Sequence, residues 1–133
     1  MGLLIDSSIV IAADRGQLAL AELRERLTRT TVAFAAITVS ELLHGVHRAE
    51  SSARRKHRAE LLDGLLDVVP VLPFDLAVAR THAAIWADLA RAGSPIGAHD
   101  LQIAATALSH DMAVVTRNVR EFARVDRLKV ETW

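Results

Sequence analysis

The sequence has no cysteine and no tyrosine, and its only aromatic residues are two Trp and three Phe. Without cysteine there is no disulfide, no thiolate zinc site and no cysteine nucleophile. This composition is compatible with a reducing compartment. Because aromatics are scarce and hydrophobic residues make up 51% of the chain, the core must consist mainly of Ala, Leu, Val and Ile.

Long hydrophobic runs and an excess of one charge are also lacking. No apolar stretch approaches the roughly 20 residues of a membrane span, and no basic segment precedes the first apolar run, so we expect a cytoplasmic protein without a membrane anchor. The 16 basic and 16 acidic residues cancel, so the overall charge gives no sign of nucleic-acid binding. Basic residues do cluster locally at 48–58 and 117–129. Each cluster is either a phosphate-binding patch or a solvated surface.

Short apolar runs alternate with helical patterns along the whole chain. The runs that predict strands lie at 3–6, 31–35, 68–72, 112–116 and 128–131. Most of them are continuously apolar, which is typical of a parallel sheet covered on both faces. We therefore expect a single α/β domain over 1–133, a three-layer α/β/α sandwich with a parallel sheet of four to five strands. Pro70 predicts an edge position for the third strand.

Four polar side chains stand at the ends of predicted elements. Asp6 ends the first strand, and Asn118 follows the fourth. Glu41 closes a capping-box pattern at 38–41 that predicts a helix start, and Asp100 falls in the first turn of a later helix. Each has a local explanation as a cap, a first-turn acid or a turn residue. In a parallel sheet, however, all four would meet at the edge where open α/β proteins bind ligands.

Several carboxylates held together repel one another unless a cation neutralises them. Mg²⁺ and Mn²⁺ accept oxygen ligands and need few protein groups, and a bound metal activates water and stabilises charge on a transferring phosphate. Neither a glycine-rich phosphate loop nor a G-x-S-x-G elbow offers a competing chemistry. The sequence thus predicts a divalent-metal site.

Histidine patterns offer weaker metal alternatives. A single Glu-x-x-His motif at 41–44 falls short of the two that a di-iron bundle needs. The pairs His99-Asp100 and His110-Asp111 match those of histidine-aspartate metal phosphohydrolases, which are all-helical, whereas apolar strands are predicted here. We expect His82, on an apolar helical stripe with Trp86, to be packed in the core.

The segments around the four polar residues resemble the motifs of PIN-domain ribonucleases, and most closely those of the VapC toxins of bacterial toxin–antitoxin pairs. These segments are 4–8, 38–42, 99–107 and 115–122. Each motif is weak alone, but their order and spacing together are specific and span nearly the whole chain. The resemblance implies a PIN-like α/β/α fold and an endoribonuclease that depends on Mg²⁺ or Mn²⁺. It also implies a homodimer that is inhibited by a small cognate antitoxin.

The resemblance carries over to particular residues. It implies that Asp6, Glu41 and Asp100 are catalytic acids that bind metal, and that Asn118 stands where many PIN domains carry a fourth acid. An amide oxygen can bind a metal but brings no charge. For the surrounding residues, we expect two hydrogen-bonding supports and two groups that bind RNA phosphates. They are Ser7 and Thr116 as the supports, and Arg117 and Arg120 as the phosphate-binding groups.

Two other functions stay open at this point. One is a PIN-fold nuclease that acts on DNA or on precursor RNA. The other is a PIN-like binding module without catalysis, which the missing fourth acid favours and the three acids in place oppose. Metal-dependent cleavage of matched RNA and DNA strands separates all three functions.

Overall fold

A computed structural model describes residues 1–133 as five strands and seven helices. The strands are β1 (Gly2–Ile5), β2 (Val32–Ala35), β3 (Val71–Leu72), β4 (Met112–Val115) and β5 (Val130–Glu131). The helices are α1 (Ser7–Asp14), α2 (Leu20–Arg29), α3 (Ala36–His47), α4 (Ser52–Leu66), α5 (Leu76–Arg91), α6 (Ala98–Ser109) and α7 (Val119–Phe122). Each helix is too short or too polar to cross a lipid bilayer.

The strands form one sheet in the order β3-β2-β1-β4-β5, and every neighbouring pair is parallel. The prediction of a parallel sheet is confirmed, with five strands. The third strand lies at an edge, as Pro70 predicted, but it is shorter than 68–72. The amides of Val68 and Val69 still bond to the Leu65 carbonyl. Pro70, which has no N–H, contributes only its carbonyl, which accepts from the Phe34 amide at 2.9 Å.

Two hydrophobic cores cover the two faces of the sheet. Leu4 and Val114 pack with α5, α6 and α7 on one face, whereas their neighbours Ile5 and Val115 pack with α1 to α4 on the other. All four side chains are fully buried. Because successive strand residues point to opposite faces, a strand buried on both faces is apolar at every position. The three-layer α/β/α prediction is therefore confirmed.

The predicted start of α3 at the capping box is wrong. The helix begins at Ala36, directly after β2, with Ala35 in the N-cap position and no side-chain cap. Thr38 is fully buried and its hydroxyl has no hydrogen-bond partner. Glu41 is the sixth residue of α3, so it is not the acid of a capping box. Its position therefore has no local explanation at a helix start.

Helices α3 and α4 form a hairpin between β2 and β3. The Ser51 hydroxyl caps α4 by accepting from the Arg54 amide at 3.1 Å. The first turns of α4 are exposed, whereas Leu62 and Leu65 are buried in the core. The hairpin thus projects beyond the core only by the first half of α4, which carries part of the basic cluster at 48–58.

His82 lies at the surface of α5, not in the core. Its ring contacts Phe74 edge-on at a centroid distance of 5.3 Å and Trp86 at 5.7 Å. Trp86 is 62% exposed. The prediction of a core histidine is therefore wrong, because the apolar stripe of α5 is wider than the face that the sheet covers.

Candidate active site

The carboxyl edge of the sheet brings the four predicted polar residues into one region. Asp6 follows β1, and Asn118 follows the neighbouring strand β4. Helix α6 leads into the amino end of β4, so its first turn, with Asp100, lies at the opposite, carboxyl edge. Helix α3 leaves the carboxyl end of β2 and carries Glu41 on its second turn.

Asp6 is held by hydroxyl groups and not by a helix end. Its side chain is 4% exposed and makes no cap hydrogen bond, although the residue occupies the N-cap position of α1. Oδ2 accepts from Ser8 Oγ and from Thr116 Oγ1, both at 2.7 Å. The capping explanation for Asp6 is therefore wrong. Since both bonds go to one oxygen, Oδ1 keeps its lone pairs for a ligand.

The hydroxyl pair that holds Asp6 also joins two loops. Ser8 Oγ lies 3.3 Å from Thr116 Oγ1 and accepts from the Arg117 amide at 3.0 Å. Thr116 Oγ1 accepts from the Asn118 amide at 2.9 Å. The turn after β1 and the turn after β4 are thus locked together around Asp6. Thr116 was predicted as a support, whereas Ser8 was not.

Glu41 is half-buried between α1 and α6. Its Oε1 accepts from Ser7 Oγ at 3.4 Å, and its Oε2 lies 3.4 Å from His99 Nδ1. Both distances are at the long end of the hydrogen-bond range. Ser7 therefore contacts a candidate acid, whereas His99 is a neighbour that sequence reasoning did not assign to this site.

Asp100 has the most strongly perturbed environment in the site. Desolvation by burial and the nearby charges of Asp6, Glu121 and Glu41, in that order, raise its pKa from 3.8 to about 6, with a small opposing effect of His99. Asn118 Nδ2 donates to Asp100 Oδ2 at 3.4 Å. Carboxylates from three other elements thus act on Asp100.

Glu121, on α7, is an acid that sequence reasoning placed in a motif but not in the site. The charge of Glu121 raises the pKa of Asp100 more than the charge of Glu41 does. Arg124 Nη1 lies 3.9 Å from Glu121 Oε1 and donates to the Pro95 carbonyl at 2.7 Å. Position 121 follows Asn118 by one helical turn. An acid three residues after a turn residue is the signal that could have identified it.

The donor set fits a hard divalent cation in its chemistry. It offers carboxylate oxygens whose mutual repulsion and desolvation a cation would relieve. As placed, no three His, Asp or Glu side chains converge closely enough to hold a metal ion between them. The carboxylates bond to hydroxyl, amide and imidazole neighbours.

Arg117 and Arg120 are both exposed beside this region. Arg117 Nη2 donates to the Gln17 carbonyl at 3.5 Å, so its guanidinium lies toward the turn between α1 and α2. Arg120 makes no ion pair or side-chain hydrogen bond in the structure. Both therefore keep positive charge next to the candidate acids.

A cleft of about 1010 Å³ opens next to these acids, between α1, α3 and α4. Ser7, Glu41 and His99 line one end of it. We call this the acidic end of the cleft. Asp6 and Asp100 lie beyond its lining residues.

Comparison with known proteins identifies relatives of the whole chain. The family model of the PIN domain matches residues 3–128. The chain is 35% identical over 133 residues to Ribonuclease VapC1 of Rickettsia felis, covering 99% of this chain and 96% of the relative. It is 33% identical over 130 residues to the tRNA(fMet)-specific endonuclease VapC of Shigella flexneri, covering 98% of this chain and 96% of the relative.

A solved structure agrees with these relatives. A chain in the crystal structure of DNA-bound VapBC from Salmonella typhimurium superposes with a TM-score of 0.88 at 29% identity, covering 100% of this chain and 98% of that chain. The resemblance inferred from the four motifs is therefore confirmed. The chain belongs to the PIN-domain family and, within it, to the VapC ribonucleases.

Proposed function

We propose that this protein is a metal-dependent endoribonuclease that acts as the toxin of a type II toxin–antitoxin pair. The observation that carries the proposal is the set of carboxylates from separate elements, Asp6, Glu41 and Glu121, whose charges act on Asp100 at one sheet edge. Relatives named ribonuclease and endonuclease over nearly the whole chain support the activity. A neighbouring structure of a VapBC complex supports an antitoxin as partner.

In this proposal Asp6 and Asp100 are the main ligands of Mg²⁺ or Mn²⁺, and Glu41 is a third ligand or orients the attacking water. A metal held by these residues would supply two effects: a lowered pKa of water and stabilisation of the charge that develops on the phosphate. Ser8 and Thr116 fix Asp6 by their hydrogen bonds to Oδ2, and Ser7 holds Glu41. Groups around a ligand that are placed in this way tune its orientation and basicity.

Asn118 and Glu121 together take the place of a fourth acid, one by a hydrogen bond and the other by its charge. Asn118 donates to Asp100 and thereby fixes one of its oxygens. Glu121 contributes the negative charge that an amide at position 118 lacks. Arg117 and Arg120 bind RNA phosphates next to the cleaved one. With so few aromatics, RNA shape and backbone contacts supply more of the specificity than base stacking.

The proposal extends to the assembly and location of the protein. We take residues 1–133 as one PIN-like domain that forms a homodimer in the cytoplasm. A small antitoxin would cover the acidic edge of the sheet. The dimer, the location and the antitoxin do not depend on cleavage, so each can be tested without an activity assay.

Purified protein without antitoxin is the material for the deciding experiment. Total bacterial RNA is incubated with Mg²⁺, with Mn²⁺ and with EDTA, and DNA oligonucleotides of matched sequence are incubated in parallel. We expect discrete RNA fragments whose formation requires metal. We expect the DNA to remain uncut. Asp6→Asn should abolish cleavage, whereas Asp63→Asn, an exposed carboxylate on α4 away from the site, should retain it.

Other outcomes would replace the proposal. Metal-dependent cleavage of DNA would assign a DNA nuclease, which the same acids would also serve. RNA binding without turnover by well-folded protein would assign the binding module that the neutral Asn118 favours. Full activity of Asp6→Asn would overturn the assignment of the site.

A further inference from the structure

The cleft that starts at Glu41 continues to the basic cluster at 48–58. On α3, Glu41, Gly45 and Arg48 all line the cleft, and their i, i+4, i+7 spacing places them on one helical face. At 1.5 Å of rise per residue, Arg48 lies about 10 Å along the axis from Glu41. One face of one helix therefore connects a candidate catalytic acid with a cation.

The other two walls add cations to the same part of the cleft. On α1 and its C-cap, Ser7 lines the acidic end, and Asp14 and the C-cap residue Arg15 line the far end. On α4, Arg54 and Arg58 line the cleft one turn apart. We call the part of the cleft lined by Arg15, Arg48, Arg54 and Arg58 its basic end.

Asp14 organises the basic end without cancelling its charge. Its carboxylate lies 3.6 Å from Arg54 Nη2 and accepts from Arg58 Nε at 3.2 Å. Arg58 Nη1 also donates to the Gly45 carbonyl at 2.8 Å, so Arg58 joins α4 to α3. Arg58 is thereby committed to the wall of the cleft.

Arg15 and Arg48 are the uncommitted cations of the basic end. Both are exposed, and neither makes an ion pair or a side-chain hydrogen bond in the structure. Against the four arginines, the only acids that line this end are Asp14 and Glu50. The basic end therefore keeps a surplus of positive charge about two helical turns from Glu41.

We infer that the basic end binds backbone phosphates of the RNA strand a few nucleotides away from the bond that is cut, with Arg15 and Arg48 as the contacting groups. This inference rests on the proposed ribonuclease function and adds a substrate-positioning subsite to it. A guanidinium donates to phosphate oxygens in a fork and carries no base information. The subsite would thus hold the strand while the acids at the other end act on one phosphate.

The lining of the cleft favours a polyanion over an apolar protein segment. Of its 18 lining residues, 5 are hydrophobic. A groove that receives an amphipathic helix needs an apolar floor with pockets for several anchors. The N-terminus of α4, where Ser51 and Arg54 line the cleft, adds the positive end of a helix dipole to the same place.

The test measures binding of oligoribonucleotides by protein made inactive with Asp6→Asn. Dissociation constants are determined over a KCl titration for Arg15→Ala, Arg48→Ala and the double variant. Each lost phosphate contact should reduce the slope of log affinity against log salt by about 0.7 for a single strand. Arg80→Ala, which removes an exposed arginine from α5 on the other side of the sheet, should leave the slope unchanged.

A second measurement assigns the contact to the phosphate itself. Single neutral methylphosphonate linkages are placed along the RNA, and each modified strand is titrated against the parent protein and against Arg48→Ala. We expect one linkage, away from the cut site, whose neutralisation weakens binding to the parent protein but not to Arg48→Ala. Such non-additivity is the mark of a direct contact.

The outcomes separate this inference from the proposed function. If otherwise wild-type protein cleaves RNA but both arginine variants bind with unchanged salt slope, the subsite is wrong and the ribonuclease stands. If the arginine variants instead lose affinity for an acidic oligoglutamate peptide but not for RNA, the basic end binds protein, and the inference is overturned. If no RNA is cleaved under any metal condition, the proposed function fails first.

Discussion

Among single residues, Asp100 bears the electrostatic cost of gathering carboxylates at the sheet edge. Burial first, and then the charges of Asp6, Glu121 and Glu41, raise its pKa from 3.8 to about 6. At a pH between 3.8 and about 6, Asp100 therefore keeps its proton in the folded protein but has lost it in the unfolded chain. The free energy of unfolding falls as the pH rises from about 4 to about 6 and stays lower above it.

We predict that Asp100→Asn stabilises the metal-free protein at about pH 7.5. Because the side chain is partly exposed to water, the gain is discounted to about 1 kcal/mol, or about 3 °C in Tm. It should be smaller at about pH 5, where the folded wild type keeps its proton. Thermal unfolding in EDTA at both pH values measures the effect. Asp63→Asn is the control, and a loss of stability by Asp100→Asn at the higher pH would contradict the prediction.

Ser8 illustrates how a hydroxyl supports a carboxylate. Its bond to Asp6 Oδ2 and the matching bond from Thr116 are both 2.7 Å long. We predict that Ser8→Ala lowers metal-dependent cleavage, or metal affinity, about 10- to 100-fold. Circular dichroism and Tm should show a folded protein, since Ser8 is only partly buried. Ser109→Ala, at the far end of α6 from the site, is the control, and equal activity of both variants would refute the role.

The sequence could predict which acids stand at element ends, but not which groups hold them. Asp6 and Asp100 were found because a carboxylate beside an apolar run has an unusual position. The neighbours Ser8, His99 and Glu121 escaped because their roles depend on contacts across the chain. Ser8 reaches Thr116, 108 residues away, and no local pattern encodes that approach. Glu41 lies near the sheet edge, as the sequence predicted, but the local structure predicted for it was wrong.

At the level of helices and strands, replacing either of two glycines by alanine should change the free energy of unfolding in opposite directions. Gly64 lies within α4, and a Cβ built there meets nothing within 4 Å. Gly93 ends α5 with φ +65°, a conformation that L side chains rarely adopt. We predict that Gly64→Ala raises the free energy of unfolding by about 0.5–1 kcal/mol. Gly93→Ala should lower it by about 1 kcal/mol.

Urea denaturation of both glycine variants measures these changes. Each substitution adds the same methyl group, so each serves as the other's control for added apolar volume. Changes of the same sign in both variants would show that backbone conformation is not the deciding factor. Neither position lines the cleft, so RNA cleavage should be unchanged.

The start of α3, which the sequence missed, has a physical cause in the fold. Helix α3 starts without a polar cap because β2 continues directly into it, and the Ala35 backbone in extended conformation serves as the N-cap residue. Propensity rules place helix starts at side-chain caps and therefore favoured the residues at 38–41. By contrast, α4 and α5 start at side-chain caps, since Ser51 and Asp75 each accept a bond from the amide three residues on. Tertiary continuity overrode the local signal in only one of these cases.

For the molecule as a whole, the net charge is zero, but the two sides of the sheet carry surfaces of different character. The cleft and Glu41 lie on the side where α1, α3 and α4 pack on the sheet, whereas Phe74, just before α5, and His82 and Trp86 on α5 form an aromatic surface on the other side. The first surface is polar and charged, and the second is apolar and exposed. The sequence predicted both faces to be covered but not that α5 would expose a tryptophan.

We predict that this aromatic surface contributes to the homodimer. An exposed Trp stacked edge-on against its neighbours buries a large area at low entropic cost when a second subunit covers it. Trp86→Lys should raise the dimer dissociation constant at least about 30-fold, as expected for a hot-spot residue. Analytical ultracentrifugation across protein concentrations measures it. Since the aromatic surface and the cleft lie on opposite sides of the sheet, RNA cleavage per protomer should persist.

Leu43→Lys provides the matched control for the dimer prediction, because Leu43 is also an exposed apolar side chain, 44% accessible, but lies on α3. If Leu43→Lys dissociates the dimer and Trp86→Lys does not, the subunits meet on the α3 side, next to the cleft. The active sites would then face a shared groove, and RNA cleavage would depend on protein concentration. If Trp86→Lys alone dissociates the dimer, each protomer keeps an independent site, and the two clefts remain open to RNA on opposite outer surfaces.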